Sequence, residues 1–290
     1  MIKDFLNFII NITPVRIINS PIIKRIFLKE SIFKLFFSKQ YDAVIDKYEK
    51  AKYPKKFSDE EVHLIFASKI IVKKNIDEIL KKIKKPPSKK IITKIFKKSL
   101  INERNNKTNG ALSQPKYINK SILAAIIGIE NKKKYFVETG TYIVQSTYNI
   151  HKLFKKVYTC EASKDLYEAA KQLFILTKSD DIEIYSGDSR LFLKSLSSKI
   201  CNNSIFFLDA HYSKGITSRK YGTCPLIDEL KIIFDKCSEG IIVVDDLRTM
   251  NGKNGYPNLI DILNCIPNSA LIKILYDQLI IYLKVNKNKL

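Results

Sequence analysis

The spacing of apolar and polar residues changes near residue 134, and this change divides the chain into a helical part and an α/β part. Before it, apolar residues recur at intervals of three and four, as in the segment 57–83, and strand-like alternation is absent. Ser58 followed by Glu61 is a capping-box pattern for the start of a helix, and Pro86 with Pro87 interrupts the helical pattern further on. Residues 1–110 are therefore predicted to form a small all-α module.

After Lys134, short β-rich runs alternate with helical stretches, a pattern typical of a mostly parallel sheet that is covered on both faces. The predicted strands are YFVE (135–138), VYTCE (157–161), IEIYS (182–186), SIFFLD (204–209) and GIIVVDD (240–246). Residues 164–176 and 225–237 are predicted crossover helices, the second with Thr223 as its N-cap. The alternation in 269–285 predicts a C-terminal hairpin.

The amino-acid composition of the chain excludes several classes of protein. With 45% hydrophobic residues the chain can bury a core, which excludes wholesale disorder. Neither a membrane-spanning apolar run nor a signal peptide is visible, so we expect a cytoplasmic protein. The five cysteines are scattered and form no C-x-x-C motif, which argues against a disulfide framework and against a zinc site. The polar stretch 105–114 is the predicted linker between the module 1–110 and a domain 111–290.

The formal net charge is +22, and most of the excess lies in the front half of the chain. Residues 1–134 carry 31 basic and 12 acidic side chains. Such a segment can bind nucleic acid, an anionic membrane surface or an acidic glycan, because all three attract cations through a long-range field. It can equally reflect a compositional bias of the whole chain toward lysine, in which case these lysines are only solvated.

Acidic residues and a glycine follow the first two predicted strands. Glu138 ends the first strand and Gly140 lies in the turn after it, where a ligand can approach the backbone closely. Glu161 ends the second strand. Its spacing along the sequence from the glycine turn is typical of a residue that accepts hydrogen bonds from a ribose. The motif G-x-G-x-x-G is absent, which disfavours a dinucleotide and makes a nicotinamide dehydrogenase a weak alternative.

Three carboxylates, those of Asp209, Asp245 and Asp246, follow two further predicted strands. Like charges gathered in a cleft require a proton, a basic partner or a metal ion, and hard oxygen ligands suit Mg²⁺ or Mn²⁺. His211 lies two residues after Asp209 and could act as a general base. The simpler interpretation is that these aspartates cap helices, form ion pairs or end strands. His63 and His151 are predicted to be structural or surface residues.

The order of the motifs ETGTY, CEAS, SGDS, LDAHYS and VVDDLR over residues 114–285 resembles class I S-adenosylmethionine-dependent methyltransferases, particularly bacterial ones linked to sugar and surface-polysaccharide modification. The resemblance implies an α/β, Rossmann-like seven-stranded mostly parallel sheet with a C-terminal antiparallel hairpin. By position, it assigns cofactor binding to Glu138, Thr139, Gly140, Thr141, Glu161, Gly187, Asp188 and Ser189. Val144 departs from the motif, since relatives usually have glycine at this position.

The aspartates also resemble those of metal-dependent O-methyltransferases. This implies that Asp209, Asp245 and Asp246 bind Mg²⁺ or Mn²⁺, and that Asp209 and His211 are catalytic. The expected reaction is O-methylation of a sugar hydroxyl in a surface glycan or sugar nucleotide. An acidic or phosphorylated sugar would suit basic residues in the segment 212–224 and Arg248.

Two other functions stay open at this point. One is an RNA methyltransferase that uses the basic front half, although LDAH replaces the N-P-P-Y type motif common in base-amino methylation. The other is a non-catalytic scaffold of the same fold. The N-terminal helices are expected to mediate homo-oligomerisation or peripheral contact with the inner face of a membrane, and nucleic acid is the less favoured partner.

Overall fold

The computed structural model describes residues 32–33, 35–36, 38–49, 51, 57–105, 116, 119–210 and 222–283. The predicted linker falls almost wholly outside these ranges. The chain divides into two compact units, Met1–Ile83 and Lys84–Leu290. The helices are α1 (Tyr41–Glu49), α2 (Asp59–Ile71), α3 (Asp77–Leu80), α4 (Lys89–Asn105), α5 (Lys120–Glu130), α6 (Gln145–Ile150), α7 (Lys164–Leu176), α8 (Ser189–Ser195), α9 (Ser198–Asn202), α10 (Leu226–Lys236) and α11 (Leu259–Cys265). The strands are β1 (Tyr135–Thr139), β2 (Lys156–Glu161), β3 (Ile182–Ser186), β4 (Ser204–Leu208), β5 (Gly240–Val244), β6 (Leu271–Leu275) and β7 (Gln278–Leu283).

The described part of the first unit is helical, as predicted. The capping box at the start of α2 is confirmed, because the Ser58 backbone N–H donates to Glu61 Oε2 at 2.8 Å and the Glu61 N–H donates to Ser58 Oγ at 3.3 Å. Polar contacts join the helices of this unit. Lys69 pairs with Glu49 at 2.8 Å, and the Tyr48 hydroxyl donates to Glu78 at 3.0 Å.

The second unit is built on one seven-stranded sheet with the order β3-β2-β1-β4-β5-β7-β6. The first five strands in this order pair in parallel, whereas β7 pairs antiparallel with both β5 and β6. The predicted fold class is therefore confirmed. The chain places β2 and β3 on one side of β1 and β4 and β5 on the other, so the strand order reverses between β1 and β4. In open α/β sheets such a reversal opens a crevice at the carboxyl ends of the strands.

Both faces of the central strands are buried, which explains their continuous apolar sequences. Along β4, Phe206 and Leu208 join one hydrophobic cluster, and Ile205 and Phe207 join the other. Side chains alternate between the two faces of a strand, so an uninterrupted apolar run is required when helices cover both faces. No helix among the described residues is long and apolar enough to cross a membrane.

The larger unit begins earlier in the chain than the domain predicted at 111–290. Helix α4 belongs to it, because Phe96 and Leu100 pack against the cluster that includes Leu123 and Phe136. A helical segment on its own does not indicate which core it covers, so the hydrophobic pattern alone could not place α4.

The C-terminal hairpin is confirmed. Tyr276 and Asp277 have φ values of 48° and 67° and form the two-residue turn between β6 and β7, the geometry of a type I′ hairpin.

Helix α10 begins at Leu226 with Pro225 as N-cap and no side-chain cap. The prediction that Thr223 caps this helix was therefore wrong, because Thr223 lies two residues before the cap position.

Gly128 sets the distance between α5 and the sheet. A Cβ atom on Gly128 would lie 2.6 Å from Ile205 Cγ2 and 3.3 Å from the Phe154 ring. We expect Gly128→Ala to lower the free energy of unfolding by about 1–2 kcal/mol, because overpacking outweighs the better helix propensity of alanine. Urea denaturation measures this.

Gly240→Ala is the matched control, since a Cβ atom there meets its nearest neighbour at 3.7 Å, an ordinary contact. Equal stability of the two alanine variants would contradict the close packing of α5 on β4.

Candidate functional site

The segments that follow β1, β2 and β4 are joined by backbone hydrogen bonds at the carboxyl edge of the sheet. The Gly140 N–H donates to Cys160 O at 3.1 Å, and the Asp209 N–H donates to Thr139 O at 3.2 Å. The Gly187 N–H donates to Glu161 O at 2.9 Å. The ends of β1, β2, β3 and β4 are therefore joined along the carboxyl edge of the sheet, with Gly140 and Asp209 at the point where the strand order reverses.

The turn after β1 requires glycine at position 140. Gly140 has a φ of +90°, and a Cβ atom there would lie 2.9 Å from the carbonyl oxygen of Asp209. The backbones of the two segments thus come together without a side chain between them. Tyr142 continues the turn with a φ of 51°.

Val144, the departure from the methyltransferase motif, precedes α6 and has a φ of 64°. Left-handed backbone is a genuine outlier for a β-branched residue. Glycine would adopt this conformation without strain, which accounts for the glycine expected at this position. The valine side chain is buried, so packing holds the turn in this conformation.

The Glu138 carboxyl group lies beneath this turn and is almost completely buried. Thr159 donates to Glu138 Oε2 at 2.9 Å, and Thr147 donates to the same oxygen. Burial raises the pKa of Glu138 to about 8 despite the two hydroxyl donors, which act in the opposite direction. Glu138 is therefore a structural support of the turn in the described structure, whereas its predicted contact with a cofactor stays a prediction.

Glu161 joins the end of β2 to the turn after β1. Its Oε2 accepts from the Tyr142 N–H at 2.8 Å, and its Oε1 accepts from the Ser163 N–H at 2.8 Å. Burial raises the pKa of Glu161 to about 7, although these backbone donors oppose the rise. The Ala162 N–H is a third backbone donor to Glu161, and because a carboxylate has about four acceptor sites, the group as a whole retains capacity for a hydroxyl of a ligand.

The GDS turn after β3 begins helix α8. Asp188 caps the helix by accepting from the Arg190 N–H at 2.9 Å, and it also binds the Arg190 guanidinium at 2.7 Å. Burial raises the pKa of the Asp188 carboxyl group, but the hydrogen bonds from Arg190 outweigh it and hold the pKa below its ordinary value. Gly187 has a φ of 132°, and Ser189 is buried at the first position of α8. No sequence pattern indicated the role of Arg190.

Lys120, the first residue of α5, contacts the two aspartates after β5. Its Nζ lies 2.8 Å from Asp245 Oδ1 and contacts Asp246 Oδ1, and it lies 3.7 Å from Asp277 Oδ2. Burial alone lowers the pKa of Lys120, but the carboxylates outweigh it and raise the pKa above its ordinary value. The ammonium group is therefore charged at neutral pH.

Arg248 and Gln278 complete this cluster. Arg248 lies 2.8 Å from Asp246 Oδ1 and contacts Asp277 Oδ2, and the Gln278 amide donates to Asp245 Oδ1 at 3.3 Å. The prediction that Arg248 binds an acidic substrate is not supported, because its guanidinium is held by these two aspartates. Sequence reasoning missed Lys120, and it treated Asp277 and Gln278 only as turn residues.

The predicted metal site at Asp209, Asp245 and Asp246 is not supported. Among the described residues, no three His, Cys, Asp or Glu side chains are grouped so that they could hold a metal ion. Asp246 faces Lys120 and Arg248, whose hydrogen bonds outweigh the effect of burial and lower its pKa. Burial raises the pKa of Asp245, and the charge of the half-buried Asp209 raises it further. The residues present therefore fit an internal cation better than a metal.

The three histidines lie in different segments of the chain. His211 and the segment 212–221 lie outside the described residues, so the predicted general base stays a prediction. His151 Nδ1 lies 2.6 Å from Asp181 Oδ1, next to the amino end of β3 and not at the carboxyl edge. His63 is buried in α2, and burial lowers its pKa to about 4.

No protein-family model and no curated protein matches the chain. Solved structures that are similar to it include an SAH-bound methyltransferase, PaMTH1, from Podospora anserina, with 14% identity, a TM-score of 0.42 and coverage of 73% of this chain and 94% of that one. An O-methyltransferase from Bacillus cereus in complex with SAH has 13% identity, a TM-score of 0.43 and coverage of 72% and 97%. The O-methyltransferase TomG from Streptomyces achromogenes, in complex with SAM, has 10% identity, a TM-score of 0.43 and coverage of 73% and 96%. The strand order and register of the chain itself define its fold.

Glycine and alanine at position 144 should differ in stability. Both substitutions remove the buried valine side chain, but only glycine is free of strain in left-handed backbone. We expect Val144→Gly to have a free energy of unfolding about 1 kcal/mol higher than Val144→Ala, as measured by urea denaturation. The order should reverse at Ala169 in the middle of α7, where Ala169→Gly is expected to be less stable than the alanine present. Alanine as the more stable residue at position 144 would contradict the left-handed turn.

Glu138 should make stability fall as pH rises. In the folded state its pKa is about 8, against an ordinary value of 4.5, so between these values the folded chain keeps a proton that the unfolded chain has lost. Its contribution to stability is complete below about pH 4.5 and disappears as pH rises through 8. Between these two pH values, the free energy of unfolding of Glu138→Gln is expected to fall less steeply with pH than that of the unmodified chain. The difference in slope is up to about 1.4 kcal/mol per pH unit.

Urea denaturation at a series of pH values measures this slope. Glu168→Gln, on the exposed side of α7, is the control and should leave the slope unchanged. If both variants follow the profile of the unmodified chain, Glu138 does not retain its proton on folding.

Proposed function

We propose that the chain is an S-adenosylmethionine-dependent O-methyltransferase whose acceptor is a sugar hydroxyl of a surface glycan or sugar nucleotide. The observation that carries this proposal is the hydrogen bond beside the strand reversal that joins the end of β2 to the turn after β1: the Glu161 carboxylate accepts from the Tyr142 N–H, in the turn that Gly140 opens. The resemblance of these segments to methyltransferase motifs supports the same activity.

The residues at this edge fit the cofactor in two respects. Gly140 leaves the turn without a side chain where it approaches Asp209, and the Glu161 carboxylate keeps acceptor capacity beyond its three backbone donors. Gly140 and Thr141 would hold the methionine part, and Glu161 would accept from the ribose hydroxyls. When bound, S-adenosylmethionine supplies an electrophilic methyl group on a sulfonium ion.

Chemistry at the acceptor requires a base near the carboxyl edge. In such a transfer the methyl carbon would gain its bond to the hydroxyl oxygen as its bond to the sulfonium sulfur breaks and S-adenosylhomocysteine leaves. The hydroxyl proton would pass to an acceptor on the protein or to water. The half-buried Asp209 carboxylate is adjacent to the turn through its backbone bond to Thr139, so Asp209 can orient the hydroxyl and take the proton, with His211 as the second candidate. Positioning of the two reactants would supply much of the acceleration.

The proposal also covers the chemical class of the acceptor and the partners of the N-terminal helices. A sugar acceptor is supported by the resemblance to polysaccharide-modifying methyltransferases, and the basic segment 212–224 would suit an acidic or phosphorylated sugar. We propose that the N-terminal helices serve oligomerisation or contact with an anionic membrane surface, supported by the excess of basic residues in the front half.

Calorimetric titration with S-adenosylmethionine tests the proposal. We expect saturable binding at one site and a loss of affinity of about tenfold or more in Gly140→Ala, because the new Cβ atom would displace the turn from Asp209. Gly128→Ala is the matched control: it strains the packing of α5 on the sheet, outside the turn, and should keep its affinity.

Transfer of labelled methyl to a panel of sugar nucleotides and polysaccharides then identifies the acceptor. Absence of binding at millimolar S-adenosylmethionine would overturn the proposal and favour a non-catalytic scaffold. Binding of RNA that weakens steeply with salt, together with methyl transfer to RNA, would overturn the sugar acceptor.

A further inference from the structure

The position of Lys120 is unfavourable for a lysine unless its partners compensate. It is the first residue of α5, a helix capped by Asn119, whose side chain accepts from the Ile122 N–H at 3.1 Å. The N-terminal end of a helix carries partial positive charge, which disfavours a cation there. The Lys120 side chain is only 14% exposed, so water does not provide the compensation.

Three carboxylates provide it instead. Those of Asp245, Asp246 and Asp277 surround the Lys120 ammonium group, and their side chains are 5%, 18% and 0% exposed. They come from two parts of the chain: Asp245 and Asp246 follow β5, and Asp277 lies in the β6–β7 turn. Buried carboxylates that converge in this way need a cation among them, because their mutual repulsion in a poorly solvated site is costly.

The same cluster has no need of a metal ion. Lys120 and Arg248 supply positive charge to the three aspartates, and the Gln278 amide donates both to Asp245 Oδ1 and to Lys120 O, each at 3.3 Å. A divalent ion would have to displace the Lys120 ammonium group from between Asp245 and Asp246. That displacement would leave the ammonium group buried and unpaired at the start of a helix.

We infer that Lys120 is the resident cation of the Asp245–Asp246–Asp277 cluster and that it takes the place of the divalent metal. The inference rests on the proposed function in one respect: the resemblance to metal-dependent O-methyltransferases is what implies a metal ion at these aspartates. Lys120 is a positioning residue: it holds Asp245 and Asp246 beside Asp209, and methyl transfer by this chain proceeds without an added metal.

Calorimetric titration of the whole chain with Mn²⁺, in the absence of S-adenosylmethionine, tests the inference. The unmodified chain is expected to show no saturable binding at millimolar Mn²⁺. Lys120→Met keeps the aliphatic stem and removes the charge, so the carboxylates of Asp245, Asp246 and Asp277, which are not arranged as a ligand set around Lys120, can turn toward a shared ion. We expect this variant to bind one Mn²⁺ per chain, on the order of tenfold or more tighter than any binding by the unmodified chain.

Lys156→Met is the matched control. It breaks a single exposed pair with Glu183, 2.6 Å in length, and should not gain Mn²⁺ binding. If Lys120→Met has no cooperative unfolding transition in metal-free buffer, addition of Mn²⁺ is expected to restore the transition, because the ion replaces the missing ammonium group.

Two results would overturn the inference. One is stoichiometric Mn²⁺ binding by the unmodified chain that Asp245→Asn abolishes. The other is a Lys120→Met variant that neither binds Mn²⁺ nor is folded by it. Since neither measurement involves the methyl donor, failure of the proposed methyl transfer leaves both readouts intact, and the two failures are distinguishable.

Discussion

Burial of carboxyl groups at one edge of the sheet is the constraint on which the arrangement of the larger unit depends. A buried carboxylate is costly unless hydrogen bonds or a cation compensate for the lost water. The chain meets this cost differently at each strand. Hydroxyl groups serve Glu138, backbone N–H groups serve Glu161, and an ammonium group serves Asp245. Each of these contacts also joins two separate elements at this edge, where a ligand would have to be positioned.

Much of this fold could be predicted, because its signals are local. The central strands are buried on both faces, so Ile241 to Val244 read as a continuous apolar run, and the crossover helices keep their own period. Parallel strands end at a common edge, so acidic residues at strand ends are necessarily neighbours. The strand ends alone therefore predict that Glu161 and Asp209 lie on the same edge of the sheet.

The partners of those acidic residues could not be predicted. Lys120 is one of 51 basic residues, and Gln278, which contacts its carbonyl group, lies 158 positions later in the chain. Which cation meets which carboxylate depends on side-chain direction and on tertiary packing, and neither leaves a periodic trace in the sequence. Val144 is a related case, since its left-handed backbone is imposed by the turn and opposes the preference of a β-branched residue.

The antiparallel direction of β7 has a consequence for the order in which this edge assembles. Because β7 runs against its neighbours, the β6–β7 turn reaches the same edge as the ends of the parallel strands, and Asp277 enters the cluster from there. A ribosome releases Lys120 long before Asp277, and such long-range contacts form slowly. Until the β6–β7 hairpin docks, the nascent chain therefore has Lys120 and Arg248 without their third carboxylate, and docking completes the cluster.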